Sequence, residues 1–531
     1  MFPIKSISRI FSILIVIAFI LSLTPLQSVQ AASVRFVMPA ASGSGDCSSW
    51  ANACTLQTAL TGSTTGDEIW AAAGTYKPTT GTSRTATFQL VSGVAVYGGF
   101  AGTELTRDQR NPATNLTTLS GDIGIPTNTS DNSYHVVTGA NGATLDGFTI
   151  TAGNANSAGS PYNRGGGMYS FSSNPTLSNV IFYSNSATSY GGGVYIDTSS
   201  PTFTDVTFSG NSAAYGGGIC NTSSDPTLTN VTFSVNTATQ GGGMINYSSS
   251  PTLTNITFSA NTATLGGGML NNSSTPTLTN VTFSGNTATT YGGGMYNSIS
   301  SSPLIRNTIF WGDIAASGGA QIYNSVASAT PTLSFSVVQG NCPAGSTCDN
   351  IIITDPLLGT LGNYGGSTQT ISLLAGSSAI DTGDNSVCPA TDQRGVIRPQ
   401  GLKCDIGAYE VDTTAPTVLS ITRFSANPTN LASLDFTVTF SEPVTGVDMS
   451  DFSLTTTGVS GASVTGVTGA GSIYTVTVNT GSGNGTIRLD VPASATITDL
   501  GLNPLAGLPY AAGETYTIIK TYNIFLPIIL H

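Results

Sequence analysis

Few side chains in this sequence are suited to acid–base chemistry or metal binding. The chain has two histidines, His135 and His531, and charged residues make up 8% of its 531 residues. The charged residues between positions 165 and 307 are Asp197, Asp205, Asp225 and Arg306. A hydrolase or lyase needs an acid, a base and a charge-stabilising group at one place. The middle of the chain therefore lacks the groups for such a site, and Asp in this setting is typical of turns.

Acids with a potential role in catalysis precede this middle region. They are Asp67, Glu68, Asp122 and Asp146. Two interpretations stay open, because these residues suit turns and caps as well as an active site. The loops at 104–134 and 152–164 are long enough to build such a site. Converging carboxylates beside Arg164 or Arg107 in a groove would indicate a polysaccharide lyase or hydrolase.

A second group of acids lies towards the carboxyl end of the chain. Its members are Asp381, Asp384, Asp392 and Asp405. Carboxylate and carbonyl oxygens are ligands that Ca²⁺ prefers, so the group is a candidate calcium site. The spacing matches neither an EF-hand nor a nonapeptide calcium loop. We therefore expect a hydrogen-bonded cap here, and the sequence indicates no cofactor.

Seven cysteines are consistent with three disulfides and one unpaired residue. Pairs that are close in sequence and flank loops are Cys47 with Cys54, Cys342 with Cys348, and Cys388 with Cys404. Cys220 occupies a position that is apolar in equivalent parts of the chain, so we expect it to pack in the interior. No Cys/His cluster has the spacing of a metal site.

A repeat of about 25 residues organises the stretch 165–313. A Gly-Gly-Gly triplet begins at residues 165, 191, 216, 241, 266 and 292. An aromatic row follows the same period, with Phe182, Phe208, Phe233, Phe258 and Phe283, and an amide row lies three residues further on, with Asn185, Asn211, Asn236, Asn261 and Asn286. A fixed period of this length indicates a solenoid.

The content of each repeat predicts what kind of solenoid it is. Apolar and polar residues alternate, as in Leu228 to Phe233, and Thr, Val and Phe dominate between turns rich in Ser, Pro, Asn and Gly. No helical pattern is present, which argues against helical repeats. We predict an all-β chain whose short strands stack in parallel as a β-helix. Stacking would then place Phe on Phe in the lumen and Asn on Asn in a hydrogen-bonded ladder.

The pattern F-x-x-N followed by G-G-G-[MIV] resembles the repeat of chlamydial polymorphic outer-membrane proteins. That resemblance implies a right-handed parallel β-helix of the pectin-lyase-like class. Further strings, including Phe310-Trp311-Gly312-Asp313 and Asp405-Ile406-Gly407-Ala408-Tyr409-Glu410, resemble the end of choice-of-anchor Q proteins. We interpret this end as the carboxyl cap of the coil. Phe440-Ser441-Glu442-Pro443-Val444 with Asp451-Phe452 resembles bacterial Ig-like modules, which implies an antiparallel sandwich.

These features divide the chain into five parts. Residues 1–32 are predicted to be a signal peptide, because Lys5 and Arg9 precede an apolar run that ends near a small-residue cleavage site. The remaining parts are an amino-terminal cap with the first coils at 33–103, the β-helix at 104–411 with its choice-of-anchor Q-like end at 307–411, the Ig-like sandwich at 412–520 and an apolar tail at 521–531. The tail is either a sorting segment or a terminal strand.

Charge and export bound the function. A net charge of -12 with 15 Lys and Arg argues against nucleic acid as a partner. After the leader, no apolar run is long enough to span a membrane as a helix. The leading hypothesis is a secreted, cell-surface or envelope protein, outer membrane included, which acts as a non-catalytic monomeric scaffold. Its partner would be a polysaccharide, or a matrix or cell-surface ligand.

Two other hypotheses stay open from the sequence. The first is a polysaccharide lyase or glycoside hydrolase with an atypical site in the loops at 104–164. The second is the passenger of an outer-membrane autotransporter, for which about 110 Ig-like residues are too few to form the barrel.

Overall fold

A computed structural model describes residues 33–520, and the predicted signal peptide and apolar tail lie outside the described residues. From Val34 to Ile352 the chain winds as a coil of short strands that form three parallel sheets along the coil. Sheet 1 begins with the first turn, whereas sheet 2 begins at Phe88–Gln89 and sheet 3 at Asn154–Ala155. Within the described residues, no helix is long and apolar enough to cross a membrane.

The three sheets of the coil differ in strand length. Sheet 1 contains Val34–Val37, Glu68–Ala72, Gly74–Tyr76, Ala95–Phe100, Thr117–Ser120, Thr144–Thr151, Thr176–Tyr183, Thr202–Thr204, Thr207–Ser209, Thr227–Ser234, Thr252–Ser259, Thr277–Ser284, Leu304–Arg306, Ile309–Trp311, Thr332–Val338 and Thr347–Ile352. Sheet 2 contains Phe88–Gln89, Val137–Thr138, Met168–Phe171, Val194–Asp197, Ile219–Thr222, Met244–Tyr247, Met269–Asn272, Met295–Ser298 and Ile322–Asn324. Sheet 3 contains Asn154–Ala155, Ser186–Ala187, Ser212–Tyr215, Thr237–Gln240, Thr262–Leu265, Thr287–Tyr291 and Ile314–Ala315.

The register of the coils aligns the repeated letters of the sequence. Phe233 pairs with Phe258, and Phe258 pairs with Phe283 in the next coil. Rings of the Phe row are fully buried and lie parallel, with centroids 4.5 to 4.9 Å apart from Phe182 to Phe310. The predicted all-β parallel coil is confirmed, and the aromatic row fills its lumen because every coil places the same ring at the same point.

The Asn row is a buried hydrogen-bond ladder. In each coil the Nδ2 atom donates to the preceding coil and to the next Asn, as Asn236 does to Phe208 O and Asn261 Oδ1, both at 2.9 Å. Its Oδ1 atom accepts from the backbone N and Nδ2 of Asn211, both at 3.0 Å. The Asn236 side chain therefore donates two hydrogen bonds and accepts two, so no polar group of its amide is left unpaired. This explains how a row of polar side chains is tolerated in the interior.

Two kinds of residue turn the chain at the corners. A second Asn row within sheet 1 adopts positive φ, for example 56° at Asn230 and 55° at Asn255, with Asp205 at 57° in the same row. At the Gly triplets the first residue has φ near 65°, as in Gly241. A Cβ atom on the third, Gly243, would lie 2.7 Å from the carbonyl oxygen of Gly268, so neighbouring coils can approach only without side chains.

A short α-helix, Leu56–Gly62, lies against the first strands of the coil. Thr55 precedes it and accepts a hydrogen bond from the backbone N of Thr58 through Oγ1 at 3.3 Å. The helix buries Leu56, Ala59 and Leu60 in the same core as the lumen of the coil. It therefore supplies apolar cover at the amino-terminal end.

The later part of the choice-of-anchor Q-like end lies along the side of the coil, which differs from the predicted cap, whereas its first part forms the last coils. After Thr347–Ile352 the chain runs back along the outside of sheet 1, in a stretch of residues 358–411 that we call the covering segment. Its strands Leu358–Gly362 and Thr370–Leu373 pair antiparallel. Gln393 Nε2 donates to Thr232 Oγ1 at 2.8 Å, and Ala408 N donates to Thr282 Oγ1 at 3.0 Å. The outward Thr hydroxyls of the repeat hold the segment laterally.

Small antiparallel sheets follow the covering segment and enclose a core of their own. One sheet contains Val418–Arg423, Ser433–Phe440, Ile473–Asn479 and Ser463–Ala470, another contains Ser453–Thr457, Gly485–Asp490 and Thr515–Ile518, and Val444–Thr445 pairs with Thr498–Asp499. Strand alternation explains the core, since Phe436, Val438 and Phe440 are buried while the residues between them are not.

Candidate functional site

A lateral cleft interrupts the cover over the outer face of sheet 1. One outward row of this sheet contains Ile181, Thr207, Thr232 and Thr257 in consecutive coils. Thr232 and Thr257 are fully buried under the covering segment, whereas Ile181 is 43% exposed. On the other side, the loop at 101–116 lies over the preceding coils. About two coils, roughly 10 Å of the axis, therefore stay open between the two walls.

The lateral cleft has a volume of about 780 Å³. Its amino-terminal wall contains Arg107, Asp108, Arg110, Asn111, Pro112, Ala113 and Leu116, its floor contains Asn179, Ile181 and Asp205, and its other wall contains Asn363, Gly366 and Ser367. Ile181, Pro112 and Leu116 give the cleft apolar surface among its polar groups, and a concave site of this size with both kinds of group is the usual form of a ligand site.

Arg110 is held at the cleft by three acceptors. Its guanidinium donates to Asp146 Oδ2 at 2.7 Å, to Asp146 O at 3.3 Å and to Gly98 O at 3.1 Å. Asn179 Nδ2 donates to the other carboxylate oxygen of Asp146 at 3.0 Å. These contacts fix the Arg110 and Asn179 side chains before any ligand arrives, which lowers the entropic cost of binding.

Asp205 follows Asn179 in the corner row, whereas Asp146 lies two coils before Asp205 and one position before the row, which Gly147 occupies in that coil. Its Oδ1 accepts from Asn230 Nδ2 at 3.1 Å. Burial raises the pKa of the Asp205 carboxyl above its ordinary value, and the negative charge of Asp146 adds to this effect. A carboxylate paired with a guanidinium thus lies at the edge of the cleft, and a carboxyl with a raised pKa lies in its floor.

Arg107 lies in the wall of the cleft and is paired on the side away from the floor. Its Nη1 is 2.8 Å from Glu68 Oε1 and 3.1 Å from Tyr97 Oη. The remaining acids of the sequence analysis are elsewhere. Asp67 is buried beneath Thr64, and Asp122 lies 3.7 Å from Lys77 Nζ. Of the acids that precede the repeats, Asp146 therefore lies at the edge of the cleft, and Glu68 forms an ion pair with Arg107 in the cleft wall.

His135 does not contribute to the cleft. Its ring is buried, and Nδ1 lies 3.0 Å from Gly165 O. The carbonyl is an acceptor, so Nδ1 carries the hydrogen and donates. Burial lowers the pKa of this imidazole, which keeps it neutral at physiological pH. The ring packs between Tyr162 and Tyr169, with centroids at 5.8 and 5.1 Å.

The repeat rows are out of reach of ligands because the Phe and Asn ladders lie inside the coil. Disulfides join Cys47 to Cys54, Cys342 to Cys348, and Cys388 to Cys404. Cys220 is buried and unpaired, and burial raises the pKa of its thiol to about 12. Such a thiol is unreactive at neutral pH.

The acids near the carboxyl end form hydrogen-bonded turns within the covering segment. Asp392 forms an ion pair with Arg394 at 2.7 Å, and Glu410 forms one with Arg398 at 2.8 Å. Asp405 accepts from the backbone N of residues 381 and 411. Burial, together with the charge of Glu410, raises the pKa of Asp405 to about 7. Asp381 and Asp384 accept from backbone N atoms at 403 and 386.

A different trio of acids could hold a cation among the described residues. Asp412, Glu442 and Asp499 each place one carboxylate oxygen within 4.8 Å of the others. Burial and the two neighbouring carboxylates raise the pKa of Glu442 to about 7. Asp499 already accepts from Asn503 N and Nδ2, at 2.8 and 3.0 Å. These three acids are far apart in the sequence, so no motif predicted that they would meet.

Sequence reasoning missed most of the cleft. Arg110, Asn363 and Ser367 belong to loops without a distinguishing pattern, and they meet only because two separate segments cover the same sheet. One signal was present in the sequence. Asp205 replaces Asn in the corner row, and such a departure from an otherwise regular row marks the coil where the cleft lies.

Comparisons with known proteins agree with this fold. The family described as "Right handed beta helix region" matches residues 192–353, and the Chlamydia polymorphic membrane protein repeat matches residues 179–197. The predicted right-handed parallel β-helix is thereby confirmed. No curated protein sequence matches this chain.

Two solved structures are similar to this chain. The pectate lyase Pel9A has a TM-score of 0.47 and 13% identity, and the similarity covers 72% of this chain and 97% of that one. The tailspike protein gp49 from Acinetobacter baumannii bacteriophage Fri1, a capsular polysaccharide depolymerase, has a TM-score of 0.25 and 11% identity, covering 88% of this chain and 86% of that one.

Proposed function

We propose that the protein is an exported β-helix scaffold that binds a polysaccharide in the lateral cleft without cleaving it. The observation that carries the proposal is the two-coil opening in the cover of sheet 1. A sugar chain presents both hydroxyl groups and apolar C–H faces. Arg110, Asn179, Asn363 and Ser367 offer donors and acceptors for the hydroxyls, and Ile181 offers an apolar floor.

The charge of the cleft favours a neutral polymer. Arg110 is neutralised by Asp146 and Arg107 by Glu68, while Asp108 and Asp205 add acidic groups. The whole chain carries a net charge of -12, which repels an anionic polymer at long range. We therefore expect neutral glucans, mannans or galactans to bind better than uronic acid polymers.

An extracellular or surface location fits the same proposal. The match to the polymorphic membrane protein repeat and three disulfides support it, because disulfides persist in oxidising compartments. Terminal sequencing of the mature protein tests export, with cleavage expected after Ala31 or Ala32. An intact leader on the protein recovered outside the cell would contradict that expectation.

Binding is tested by affinity electrophoresis of the full chain in gels that contain single neutral polysaccharides. Ile181→Trp fills the floor of the cleft and should weaken retardation at least tenfold. Tyr183→Trp is the matched control, because Tyr183 is 52% exposed on the same strand and lies outside the cleft. Equal retardation of wild type and Ile181→Trp on every retarding polymer would overturn the proposal.

Hydrolysis in the same cleft is the second candidate, and the pair Asp146 and Asp205 favours it. The two residues lie two coils apart, roughly 10 Å along the axis, which is slightly more than the carboxyl separation of about 6.5–9.5 Å in inverting glycosidases. Asp205, with its raised pKa, would act as the acid, and Asp146 would act as the base. New reducing ends released by wild type and lost in Asp205→Asn would establish this activity. Binding without new ends supports the scaffold.

A further inference from the structure

A second groove lies at the corner between sheet 3 and sheet 2, where the Gly triplets turn the chain. Atoms of neighbouring coils occupy the space that Cβ atoms of the triplets would need, so the groove is formed by the residues that flank them. Tyr190 and Tyr215 immediately precede two triplets and lie side by side in neighbouring coils. Tyr195 follows the first of these triplets and lines the groove from sheet 2, and the buried Cys220 packs beside it in the next coil. We call this second groove the corner groove.

Aromatic rings dominate the corner groove. Tyr190 and Tyr215 stack with their centroids 5.0 Å apart and their planes 21° from parallel. Tyr247 closes the far side, edge to face with Tyr215 at 6.3 Å. All three rings are half-buried, so each keeps part of its surface open to solvent. The groove encloses about 390 Å³.

Polar groups close one end of the groove. Arg164 lies over the rings of Tyr190 and Tyr195, 5.0 and 5.2 Å from their centroids. Its Nη1 donates to Tyr195 Oη at 2.9 Å, and Tyr195 Oη donates to Asp197 Oδ2 at 3.0 Å. Arg164 Nε is buried and has no partner among the described residues. A guanidinium, a phenol and a carboxylate thus converge beside the open rings.

Packing of the coil alone does not account for this arrangement. Tyr195 and Cys220 belong to a small cluster separate from the core of the lumen, on the outer face of sheet 2. In later coils the position before the triplet changes to Gln240 and Leu265, and the outward position becomes Ile245 and Leu270. Tyr291 and Tyr296 occupy these two positions in the coil that follows. Arg164 and Asp197 beside the tyrosines therefore distinguish this end of the corner.

We propose that the corner groove is a second carbohydrate site, which takes a neutral hexopyranose unit of a polysaccharide. The C–H face of the sugar ring would lie on Tyr190 and Tyr215, and its hydroxyls would bind Arg164 and Asp197. Flat, weakly polar C–H faces suit aromatic rings, and adjacent acceptor and donor groups suit hydroxyl pairs. The Arg164 cation and the Asp197 carboxylate balance each other, so a charged sugar gains nothing here. The inference rests on the proposed function only for the class of ligand.

The site is tested with the full chain and soluble glucan, mannan and galactan in separate affinity gels. Tyr215→Ala should weaken binding of the retarded polymer at least tenfold, because a stacking surface is lost. Tyr215→Phe keeps the ring and should bind within about threefold of wild type. Tyr183→Ala removes an exposed tyrosine outside both grooves and is the matched control. Unchanged binding by Tyr215→Ala overturns the inference.

A second variant guards against loss of structure. Thr222→Trp fills the groove from the floor side without removing any ring, and it should also abolish binding. Circular dichroism establishes that each variant retains its strands. If Ile181→Trp abolishes binding and the corner variants do not, the lateral cleft alone binds and the inference fails. If the corner variants abolish binding and Ile181→Trp does not, the inference stands and the cleft proposal fails.

Discussion

Asp313 Oδ1 accepts hydrogen bonds from both the backbone N and the Nδ2 of Asn286, each at 2.8 Å. Asn286 Oδ1 accepts the same two bonds from Asn261 one coil earlier, at 3.1 and 2.9 Å. Asp313 therefore ends the Asn ladder in the position of an Asn. Its Oδ2 takes the place of an Nδ2, is buried and has no partner among the described residues.

Because Asp313 stands where the other coils have Asn, its carboxyl group is expected to be protonated and neutral. In the ladder, Nδ2 donates to the Phe carbonyl of the preceding coil, as Asn286 does to Phe258 O at 2.9 Å. By analogy with Asn286, we infer that Asp313 Oδ2 faces Phe283 O, and a carboxyl oxygen can donate to a carbonyl only when protonated. Burial accordingly raises the pKa of Asp313 to about 8.

The first prediction concerns pH. The folded state keeps the proton on Asp313 up to about pH 8, whereas the unfolded chain loses it near pH 4. The stabilisation is complete below pH 4 and declines by about 1.4 kcal/mol per pH unit until pH 8. Asp313→Asn should remove this contribution to the pH dependence of the free energy of unfolding, and the variant should be more stable than wild type near pH 8. Urea unfolding at pH 5 to 8 measures it, and parallel slopes for the two proteins would contradict the neutral acid.

The second prediction tests the ladder itself. Asn236→Ala leaves the backbone N of Asn211, the carbonyl of Phe208 and Oδ1 of Asn261 each short of one hydrogen bond. Unpaired buried groups cost about 1–3 kcal/mol each, so the free energy of unfolding should fall by at least about 3 kcal/mol. Thr239→Ala, at an exposed position of the same coil, should change it by less than about 0.5 kcal/mol. Similar values for both variants would mean that the ladder does not stabilise the coil.

The third prediction concerns the aromatic stack. Phe258 lies between Phe233 and Phe283 with both centroid distances at 4.6 Å, and it is fully buried. Phe258→Ala should lower the free energy of unfolding by about 3–5 kcal/mol, since the cavity cannot collapse between fixed coils. Phe171→Ala serves as the control because that ring is 54% exposed. Denaturant titration of both variants provides the comparison, and a loss below 1 kcal/mol at Phe258 would argue against a tightly packed lumen.

The fourth prediction concerns the covering segment. Arg398 and Glu410 form a fully buried ion pair at 2.8 Å. Glu410→Gln removes the ion-pair partner of a buried guanidinium, and we expect a loss of about 3–5 kcal/mol in the free energy of unfolding. The matched control is Glu514→Gln, whose pair with Arg423 is exposed and lies at 3.6 Å, so its effect should be under about 1 kcal/mol.

The same pair of variants also has a local readout. Loss of the buried ion pair should loosen the covering segment from Thr232, Thr257 and Thr282, and limited proteolysis should then cut within residues 358–411. Cleavage at equal rates in Glu410→Gln and Glu514→Gln would show that the threonine contacts hold the segment without the ion pair.

The sequence by itself determined the repeating part of the protein. Each coil of residues 165–313 buries its Phe and Asn against the same residues of the next coil, so a local pattern of letters is also a tertiary contact. Register, lumen and ladder could therefore be predicted from spacing alone. The end of the ladder was visible as well, because Asp313 interrupts a row of Asn.

Only the tertiary structure decided what lies on the outside of the coil. The choice-of-anchor Q-like strings predicted a cap, yet residues 358–411 lie along sheet 1 and leave the lateral cleft open. Asn179 and Ser367 meet there across a long stretch of chain. Such contacts between non-repeating segments depend on shape and on hydrogen bonds such as that of Gln393 to Thr232, and no periodic pattern encodes them. In a solenoid the interior contacts are encoded within each repeat and its neighbours, because each repeat packs only against the next. The surface sites depend instead on which loops the folded coil brings together.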